Sequence, residues 1–404
     1  MSATATASRA DLARSARQFP ARTFTLLGGV LAIAGGAVFL WLLAAGERAR
    51  AWQSWHVNFM FWIGLAQGLV IVAATQKLAK GHWAGLMIRF AEAAVAFLFV
   101  ALLLFAGEFV ARAALFGWVH APQRTEVGPW FTTPFFFVRT WLILALMAWL
   151  SWRFVRADLA PDIGELASGR PAERLEGRDA IMRDAAVLVV AYAFAYSLLG
   201  FDLVMSLNHR WVSNLYGAFY FMGSFLAALA GLAVLTLAVR RAMGIASVVS
   251  ESQLHDLGKL VFGFTVFWGY LLWAQFLVIW YGNIPEETYF IFYRLWGPWR
   301  PIGAAVFILV FVAPFIGLLG VKPKKYPPTF VLFSLVSLVG IWLERYLEVV
   351  PSLNGGAGPA VGLPEIGVTL LFGGLFLLSY GWFGARYPMV SPRLAADTLE
   401  REQH

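Results

Sequence analysis

Long apolar runs alternate with short polar connections along almost the whole chain. A helix needs about 20 apolar residues to cross the hydrocarbon core of a membrane, so each run of that length predicts a span. Prolines fall mainly between the runs, as helix breakers should, with Pro314 as the exception. The pattern predicts an all-α integral membrane protein with ten transmembrane helices, near residues 24–45, 56–76, 86–107, 132–153, 182–204, 214–239, 258–282, 302–321, 328–347 and 364–384.

The composition agrees with this fold class and excludes several kinds of function. Hydrophobic residues make up 60% of the chain and charged residues 13%, with a mean hydropathy of +0.70. A soluble domain carries about 25% charged residues and cannot bury this much apolar surface. The sequence has no cysteine, which excludes disulfides, iron–sulfur clusters and thiolate metal sites, and none of its six histidines lies in the middle of an apolar run. We therefore expect this chain to bind no redox metal or other cofactor itself.

Lysine and arginine residues in the connections predict the orientation. With a cytoplasmic N-terminus, 22 of the 31 Lys and Arg residues fall on the cytoplasmic side and 8 on the outer side, leaving Arg139 inside the fourth span. Because positive charge favours the cytoplasmic side, both termini are predicted to be cytoplasmic. The net charge of +8 then follows from topology, and we expect no nucleic acid partner. The predicted organisation is a cytoplasmic segment (1–23), a transmembrane domain (24–385) and a cytoplasmic tail (386–404).

The longest polar connection is a predicted cytoplasmic loop at 154–181. Its sequence RADLAPDIGELASGRPAERLEGRD (156–179) alternates acidic and basic residues. Such a charge pattern is typical of a solvated face, and it predicts a short helix on the cytoplasmic surface.

A few ionisable residues lie inside the predicted spans or at their ends. A charge at the bilayer centre costs roughly 2.5–3.5 kcal/mol on insertion scales, so such residues usually face the bundle interior, a partner or water. We expect acids near the cytoplasmic side (Glu92, Asp256) and near the outer side (Asp202, Glu344) to form two proton half-channels. The other candidates picked out by their position in a span are Arg139, Tyr192, Tyr196, Lys259 and Arg345.

Each of these candidates also has an ordinary structural interpretation. Tyr192 and Tyr196 share the face of the fifth span that leads to Asp202 and could relay protons, but plain interhelical packing explains them equally well. Long basic side chains at span ends can snorkel to the interface, and this alternative applies to Arg89, Lys259 and Arg345. Short acids snorkel poorly, so Glu92 and Asp202 are expected to take part in proton transfer or in buried ion pairs.

The turn GFDLVMSLNHRW (200–211) places three ionisable residues between two apolar spans on the outer side. Asp202 ends the fifth span, whereas His209 and Arg210 lie in the loop and are interpreted as contacts to a partner subunit. Tryptophans near the span ends, Trp130 among them, predict an interfacial aromatic belt.

Four segments of the chain resemble one family of membrane proteins. They are FDLVMSLNHRWVSNLYGAFYFMGSF (201–225), HDLGKLVFGFTVFWGYLLWAQFLVIWYGNIPEETYF (255–290), ERYLEVVPS (344–352) and LPEIGV (363–368). From about residue 55 to 385 the chain resembles the ActF-type subunits of the bacterial alternative complex III, which are NrfD-type (polysulfide-reductase-like) membrane proteins. The run NIPEET after a Trp-Tyr helix end, with HDLGKL opening the same helix, is the most specific part of the likeness.

This resemblance implies a fold, a location and a set of partners. The fold would be an NrfD-like pair of four-helix bundles plus two extra helices, in the bacterial inner (cytoplasmic) membrane. The partners would be a second NrfD-like subunit, an iron–sulfur protein, c-type haem subunits and small membrane subunits, with lipids around them. Haem and iron–sulfur clusters would lie in those partner subunits, and the complex would oxidise a quinol to a quinone, menaquinone being one candidate.

The implied function is that of a non-catalytic subunit of a quinol:cytochrome c (or cupredoxin) oxidoreductase, with proton half-channels. Through the matched motifs His255 joins the proton-pathway candidates, and Glu286 and Glu287 become candidates for partner contact. A secondary transporter and a purely structural membrane anchor are the alternatives. Transporters often contain inverted repeats and helices broken at mid-membrane, whereas here prolines avoid span centres and no convincing repeat is found.

Overall fold

Ten long apolar helices account for most of the molecule. The computed structural model describes residues 19–120, 130–168, 178–208, 211–246, 248–354, 356–391 and 393–395, and these ranges contain no β-strand. The helices long and apolar enough to cross a membrane in these ranges are α1 (Ala21–Ala44), α2 (Arg48–Leu78), α3 (Met87–Val110), α4 (Thr133–Ser168), α5 (Arg178–Leu203), α6 (Tyr216–Met243), α7 (Glu251–Gly282), α8 (Arg300–Gly317), α9 (Pro327–Leu353) and α10 (Leu363–Arg386). The predicted all-α fold is confirmed, and the described residues form the predicted ten helices able to span a membrane.

The helix α2 lies at the centre of the bundle. Residues 53–61 and 63–74 are buried, and α2 packs against α3, α5, α6, α9 and α10. The helices α2 to α5 contact one another in order and α5 returns to α2, while α6 to α9 do the same and α9 returns to α6. We call the end of the bundle at which α1 begins the near end, and the opposite end the far end.

The helices α1 and α10 pack through glycines with their backbones in direct contact. A Cβ atom at Gly35 would overlap the backbone of Gly367 and Leu371, and one at Gly28 would lie 2.8 Å from the carbonyl oxygen of Gly374. Such close approach is how small residues stabilise helix pairs in lipid, where no hydrophobic force drives the helices together. Much of α1 outside this seam is exposed, so α10 is its main support.

The helix α3 has a two-residue break immediately after Glu92. Regular α-helix ends at Glu92 and resumes at Val95, because the amide of Ala94 donates to Ala91 and not to Phe90. The carbonyl of Phe90 instead accepts a hydrogen bond of 3.0 Å from the hydroxyl of Tyr380 in α10. The break therefore lies beside an ionisable residue and is stabilised by a neighbouring helix.

The first part of the predicted cytoplasmic loop is a continuation of α4. The helix runs unbroken to Ser168, so the predicted separate surface helix is wrong for residues 154–168. Its acids Asp158 and Asp162 are fully buried, not solvated. The reason is that Phe154, Val155 and Leu159 give this stretch an apolar face that packs inward and carries the two acids with it. Residues 169–177 lie outside the described residues.

Pro314 is accommodated by a local change of helix type in α8. A π-helical turn spans Ile308–Val312 and ends two residues before the proline, which cannot donate a helical hydrogen bond. After α8 the chain bends, and the ammonium group of Lys324 donates to the carbonyls of Leu318 (2.7 Å) and Leu319 (3.2 Å). Burial lowers the pKa of Lys324, whose charge caps the end of the helix.

Candidate functional site

The near end of the bundle holds a fully packed group of six ionisable side chains, which we call the near-end cluster. Its members are Lys77 of α2, Arg89 and Glu92 of α3, Asp158 and Asp162 of α4, and Arg393 after α10. Arg89 is central: its guanidinium lies 2.7 Å from Asp162, 3.2 Å from Asp158 and 3.3 Å from Glu92. Three acids and three bases balance formally, which offsets part of the cost of burying them. Arg89 therefore does not snorkel.

Asp158 and Asp162 join the cluster to two other parts of the chain. The Asp158 carboxylate lies 2.6 Å from the ammonium group of Lys77 and 2.9 Å from the guanidinium of Arg393. Asp162 accepts a hydrogen bond of 2.8 Å from the hydroxyl of Ser391. Burial opposes the charge of Arg393, but the two carboxylates outweigh it and raise the pKa of that guanidinium. The segment after α10 is thereby fixed to the end of α4.

Glu92 differs from the other two acids of the cluster. Its side chain is completely buried beside the carboxyl group of Asp158, and neither of its carboxyl oxygens accepts a hydrogen bond from a donor in the described structure. Its ionic contact is the 3.3 Å approach to Arg89, one helical turn away. Glu92 is also the acid of the cluster that lies at the break in α3. It is therefore the carboxyl of this cluster with free capacity to accept a proton.

At the far end, Asp202 forms a complete ion pair with Arg139. The guanidinium donates to both carboxylate oxygens, at 2.8 and 3.2 Å, and the indole N–H of Trp130 donates to one of them at 3.1 Å. The Arg139 guanidinium also stacks 3.9 Å from the Trp130 ring centroid. Asp202 is 1% exposed. The position of both residues within or at the end of a predicted span indicated that they are paired or functional. The structure brings the two together.

A histidine and a glutamate that the sequence analysis did not select form a second far-end pair. His56 of α2 and Glu108 of α3 are both fully buried, with His56 Nδ1 2.7 Å from Glu108 Oε2. The other ring nitrogen, Nε2, lies 2.9 Å from the carbonyl oxygen of Leu203. The sequence signal was a histidine and an acid placed just inside two spans that are adjacent in the chain. Both looked like span-end residues because apolar runs do not mark how far a helix extends.

The third far-end group lies on α9 and contains two acids around one arginine. Arg345 is 2.6 Å from Glu348 and 3.5 Å from Glu344, whose other oxygen accepts a hydrogen bond of 2.7 Å from the indole N–H of Trp268. A Cβ atom at Gly223 would lie 2.7 Å from the Arg345 guanidinium, so α6 closes tightly over it. Arg345 is 1% exposed and does not snorkel. Glu348 is a member that the sequence analysis did not select.

The two tyrosines of α5 are buried, but each donates its hydroxyl proton to a backbone carbonyl. Tyr192 donates to Phe221 at 2.7 Å and Tyr196 to Ile63 at 3.1 Å. These bonds tie α5 to α6 and to α2, which is the packing role anticipated as the alternative. Neither of these two bonds leads to Asp202.

The remaining candidates lie apart from these clusters. Asp256 and Lys259 form a pair of 2.7 Å at the start of α7, with Lys259 58% exposed, as expected for a snorkelling side chain. His255 beside them is half-buried. Glu286 is exposed and Glu287 half-buried at the start of the helix Pro285–Leu295. The two loop candidates His209 and Arg210 lie outside the described residues.

The helix Pro285–Leu295 is fixed to α9 by a buried arginine. Arg294 donates to the carbonyls of Leu347 at 2.9 Å and Glu348 at 2.8 Å, and to the Ser352 hydroxyl at 2.8 Å. Burial lowers the pKa of this guanidinium. The exposed acidic start of the helix is therefore held in a set position at the far-end surface.

A polar cleft of about 330 Å³ opens between the far ends of α2, α9 and α10. Arg50 and Glu365 form a two-pronged ion pair in it, with both nitrogen–oxygen distances at 2.9 Å. Glu365 also accepts from the amide of Gly362 at 2.7 Å and so caps the start of α10. Its carboxylate is thereby committed to holding two helices together.

A layer without charges separates the near and far ends. Along α3, Glu92 and Glu108 are 16 positions apart, which is about 24 Å at 1.5 Å per residue. Inside the other spans the sequence likewise has no Asp, Glu, Lys, Arg or His at these depths. Neutral polar groups remain, such as Gln67, which donates to Ser151 at 2.8 Å, and the buried hydroxyls of Ser334 and Ser337.

Comparison with protein-family models and with curated proteins gives no match for this chain.

Proposed function

We propose that this chain is an integral membrane subunit of a quinol:electron-acceptor oxidoreductase of the alternative complex III type. It anchors the complex in the bacterial cytoplasmic membrane and provides two proton half-channels that couple quinol oxidation to proton translocation. The proposal rests on the resemblance of the four segments at 201–225, 255–290, 344–352 and 363–368, and on the ten-helix fold. Its partners are a second NrfD-like subunit, an iron–sulfur protein, c-type haem subunits and small membrane subunits, which carry the haems and iron–sulfur clusters.

The observation that carries the coupling role is the separation of buried ionisable residues into two ends with an uncharged layer between them. Buried charges are costly in lipid, so each needs either a pairing that holds helices together or a role in proton exchange. Two half-channels need groups that exchange protons with each side and a barrier that prevents a direct leak. The near-end cluster and the far-end pairs, about 24 Å apart along α3, meet that requirement.

The helix contacts agree with the proposed architecture. The closed sequences α2–α5 and α6–α9 are two groups of four, and α1 with α10 forms the extra pair. With both termini in the cytoplasm, the near end faces the cytoplasm and takes up protons, while the far end faces the electron-carrying subunits. Glu286 at the exposed start of its helix is then placed for contact with those subunits.

The test is the number of protons moved per electron by the complex in sealed vesicles, with Glu92 replaced by Gln. Glutamine keeps the size of the side chain but cannot carry a proton. We expect the ratio to fall from its wild-type value to that of quinol chemistry alone. The matched control is Asp184→Asn, a buried near-end acid that pairs with Arg153 at 2.5 Å on the rim of the bundle, and it should keep the wild-type ratio.

Other results would favour the alternatives. An unchanged ratio in Glu92→Gln would support the structural anchor. Uptake of a solute by vesicles that contain this chain alone would support the transporter. The π-helical turn of α8 consists of five apolar residues and packs on Gly340 of α9, so this interruption of a span does not favour a substrate site.

A further inference from the structure

We propose that His56 and Glu108 form a proton-binding site that serves as the outer terminus of the far half-channel, in place of Asp202. The inference rests on the proposed function for its place in the pathway. The site itself follows from the geometry of three helices at the far end.

The ring of His56 is held between two acceptors. The carbonyl oxygen of Leu203 in α5 can only accept, so Nε2 of His56 donates to it and keeps its proton in every state. Nδ1 then faces Glu108 Oε2 at 2.7 Å, a distance typical of a charge-assisted hydrogen bond. One proton lies between these two atoms, on the imidazole or on the carboxyl group.

These two arrangements have the same net charge. Imidazolium with carboxylate and imidazole with carboxylic acid both sum to zero, so moving the proton within the pair changes no charge in the buried site. A second proton makes the pair cationic, and loss of the first makes it anionic. The pair can thus hold a proton for transfer in a region where an isolated charge would be costly.

Glu108 has one oxygen left for exchange. Oε1 is buried and takes part in no hydrogen bond within the described residues. The Phe116 ring stands edge-on to His56, with centroids 5.8 Å apart, and covers the imidazole. Besides Glu108, the packed helices carry Asp202, which is next to Leu203 in sequence, and its partner Arg139. Within this pair an arriving proton therefore has one open acceptor, Oε1.

Asp202 has no comparable capacity. Its two oxygens accept three hydrogen bonds from Arg139 and Trp130, so neither oxygen is left without a donor. In the proposed step an O–H bond of a hydronium donor breaks and an O–H bond forms on Glu108 Oε1, so the pair carries one positive charge until it releases a proton. Release reverses the step to the far side, and no electron moves.

The experiment uses the intact complex in sealed vesicles with Glu108 replaced by Gln. The glutamine amide can donate to Nδ1 of neutral His56, so the packing and the hydrogen bond stay while the exchangeable proton is lost. We expect the number of protons moved per electron to fall to the value of quinol chemistry alone, as for Glu92→Gln. Glu365→Gln is the matched control, because Glu365 is a buried, paired acid at the same end, and it should keep the wild-type ratio.

A purely structural pair predicts a different result. Glu108→Gln would then keep the wild-type ratio while Glu92→Gln lowers it, and this outcome overturns the inference but leaves the proposed function standing. If neither substitution lowers the ratio, the proposed function fails as well. Glu108→Asp, which restores a carboxyl group, should recover part of the ratio.

Infrared difference spectra of the unsubstituted complex with isotope-labelled histidine provide a second measurement that does not depend on assembly of a variant. We expect labelled ring bands to shift during turnover, because a proton gained or lost on Glu108 changes the hydrogen bond at Nδ1 of His56. Spectra without any such shift overturn the inference.

Discussion

Individual buried charges in this protein are of two kinds. Asp202 and Arg139 satisfy one another through two hydrogen bonds, with Trp130 filling the remaining position. Glu92 and Glu108 each keep at least one carboxyl oxygen without a hydrogen bond. A saturated pair resists change, because removing either member leaves an uncompensated charge. An unsaturated acid can gain a proton without breaking an existing contact.

Removal of one member of the Asp202–Arg139 pair should therefore be costly. We expect Asp202→Ala and Arg139→Ala each to lower the free energy of unfolding by about 3 kcal/mol, the loss typical of a broken buried pair. The double variant should lose much less free energy of unfolding than the two single variants lose together. Unfolding of the purified protein in detergent, followed by tryptophan fluorescence, measures all three.

An ion pair with an exposed arginine provides the comparison. Arg183 is 68% exposed and lies 3.2 Å from Asp184, so Arg183→Ala should change stability by about 0–1 kcal/mol. Losses for the Asp202 and Arg139 variants as small as this would contradict the assignment of a saturated buried pair.

Depth in the apolar runs predicted which ionisable residues needed an explanation, but not their partners. Glu92 and Arg345 were selected because lipid tolerates neither. The groups around them, such as Asp158 beside Arg89 and Trp268 beside Glu344, come from different helices, and a single sequence carries no distance between helices. His56 escaped selection because its partner Glu108 lies 52 positions away.

Helices in this bundle are placed by the sizes of the residues between them. The seam between α1 and α10 works because Gly28 and Gly35 present no side chain to the opposite backbone. Gly36, one position on, points elsewhere, and a Cβ atom there would lie 3.9 Å from its nearest neighbour, the side chain of Leu371. Adjacent glycines in one helix thus differ completely in how much space surrounds them.

This difference gives a matched test at the level of one element. Gly35→Val should lower the melting temperature and release α1 from α10, because no side chain fits against Leu371 there. Gly36→Val should change the melting temperature little. Protease access to the connection between α1 and α2 reports the release. Equal changes in melting temperature for the two substitutions would contradict the close packing of α1 on α10 at Gly35.

The existence of the ten helices could be predicted because a membrane span has a fixed length and an apolar composition. The extension of α4 to Ser168 could not, since residues 154–168 are polar enough to resemble a loop. Their helical form depends on burial of Asp158 and Asp162 among cations from α2, α3 and the segment after α10. Tertiary contacts outweighed local composition at this point.

The molecule as a whole is closed at its near end by the segment that follows α10. Ser391 and Arg393 contact Asp162 and Asp158, and so join the last helix to the fourth. The cluster is balanced in charge only when Arg393 is in place. Arg393 therefore both closes the near end of the bundle and neutralises a buried acid.

Truncation of this segment should expose that dependence. A chain ending at Met389 lacks Ser391 and Arg393, and we expect it to melt at a lower temperature because one acid of the cluster loses its counter-charge. A chain ending at Ala395 keeps both contacts and should melt like the full chain. Similar melting of the two truncated chains would contradict the closing role.

The glycine seam also bears on how the protein is made. The main support of α1 is α10, and the ribosome completes α10 only after eight other spans have entered the membrane. At synthesis rates of roughly 5–20 residues per second, α1 waits in the membrane for tens of seconds before its partner exists. During that interval its Gly28 and Gly35 face is open to lipid, to insertion factors or to α1 of another nascent chain. The packing of α10 against α1 is therefore the last step of assembly.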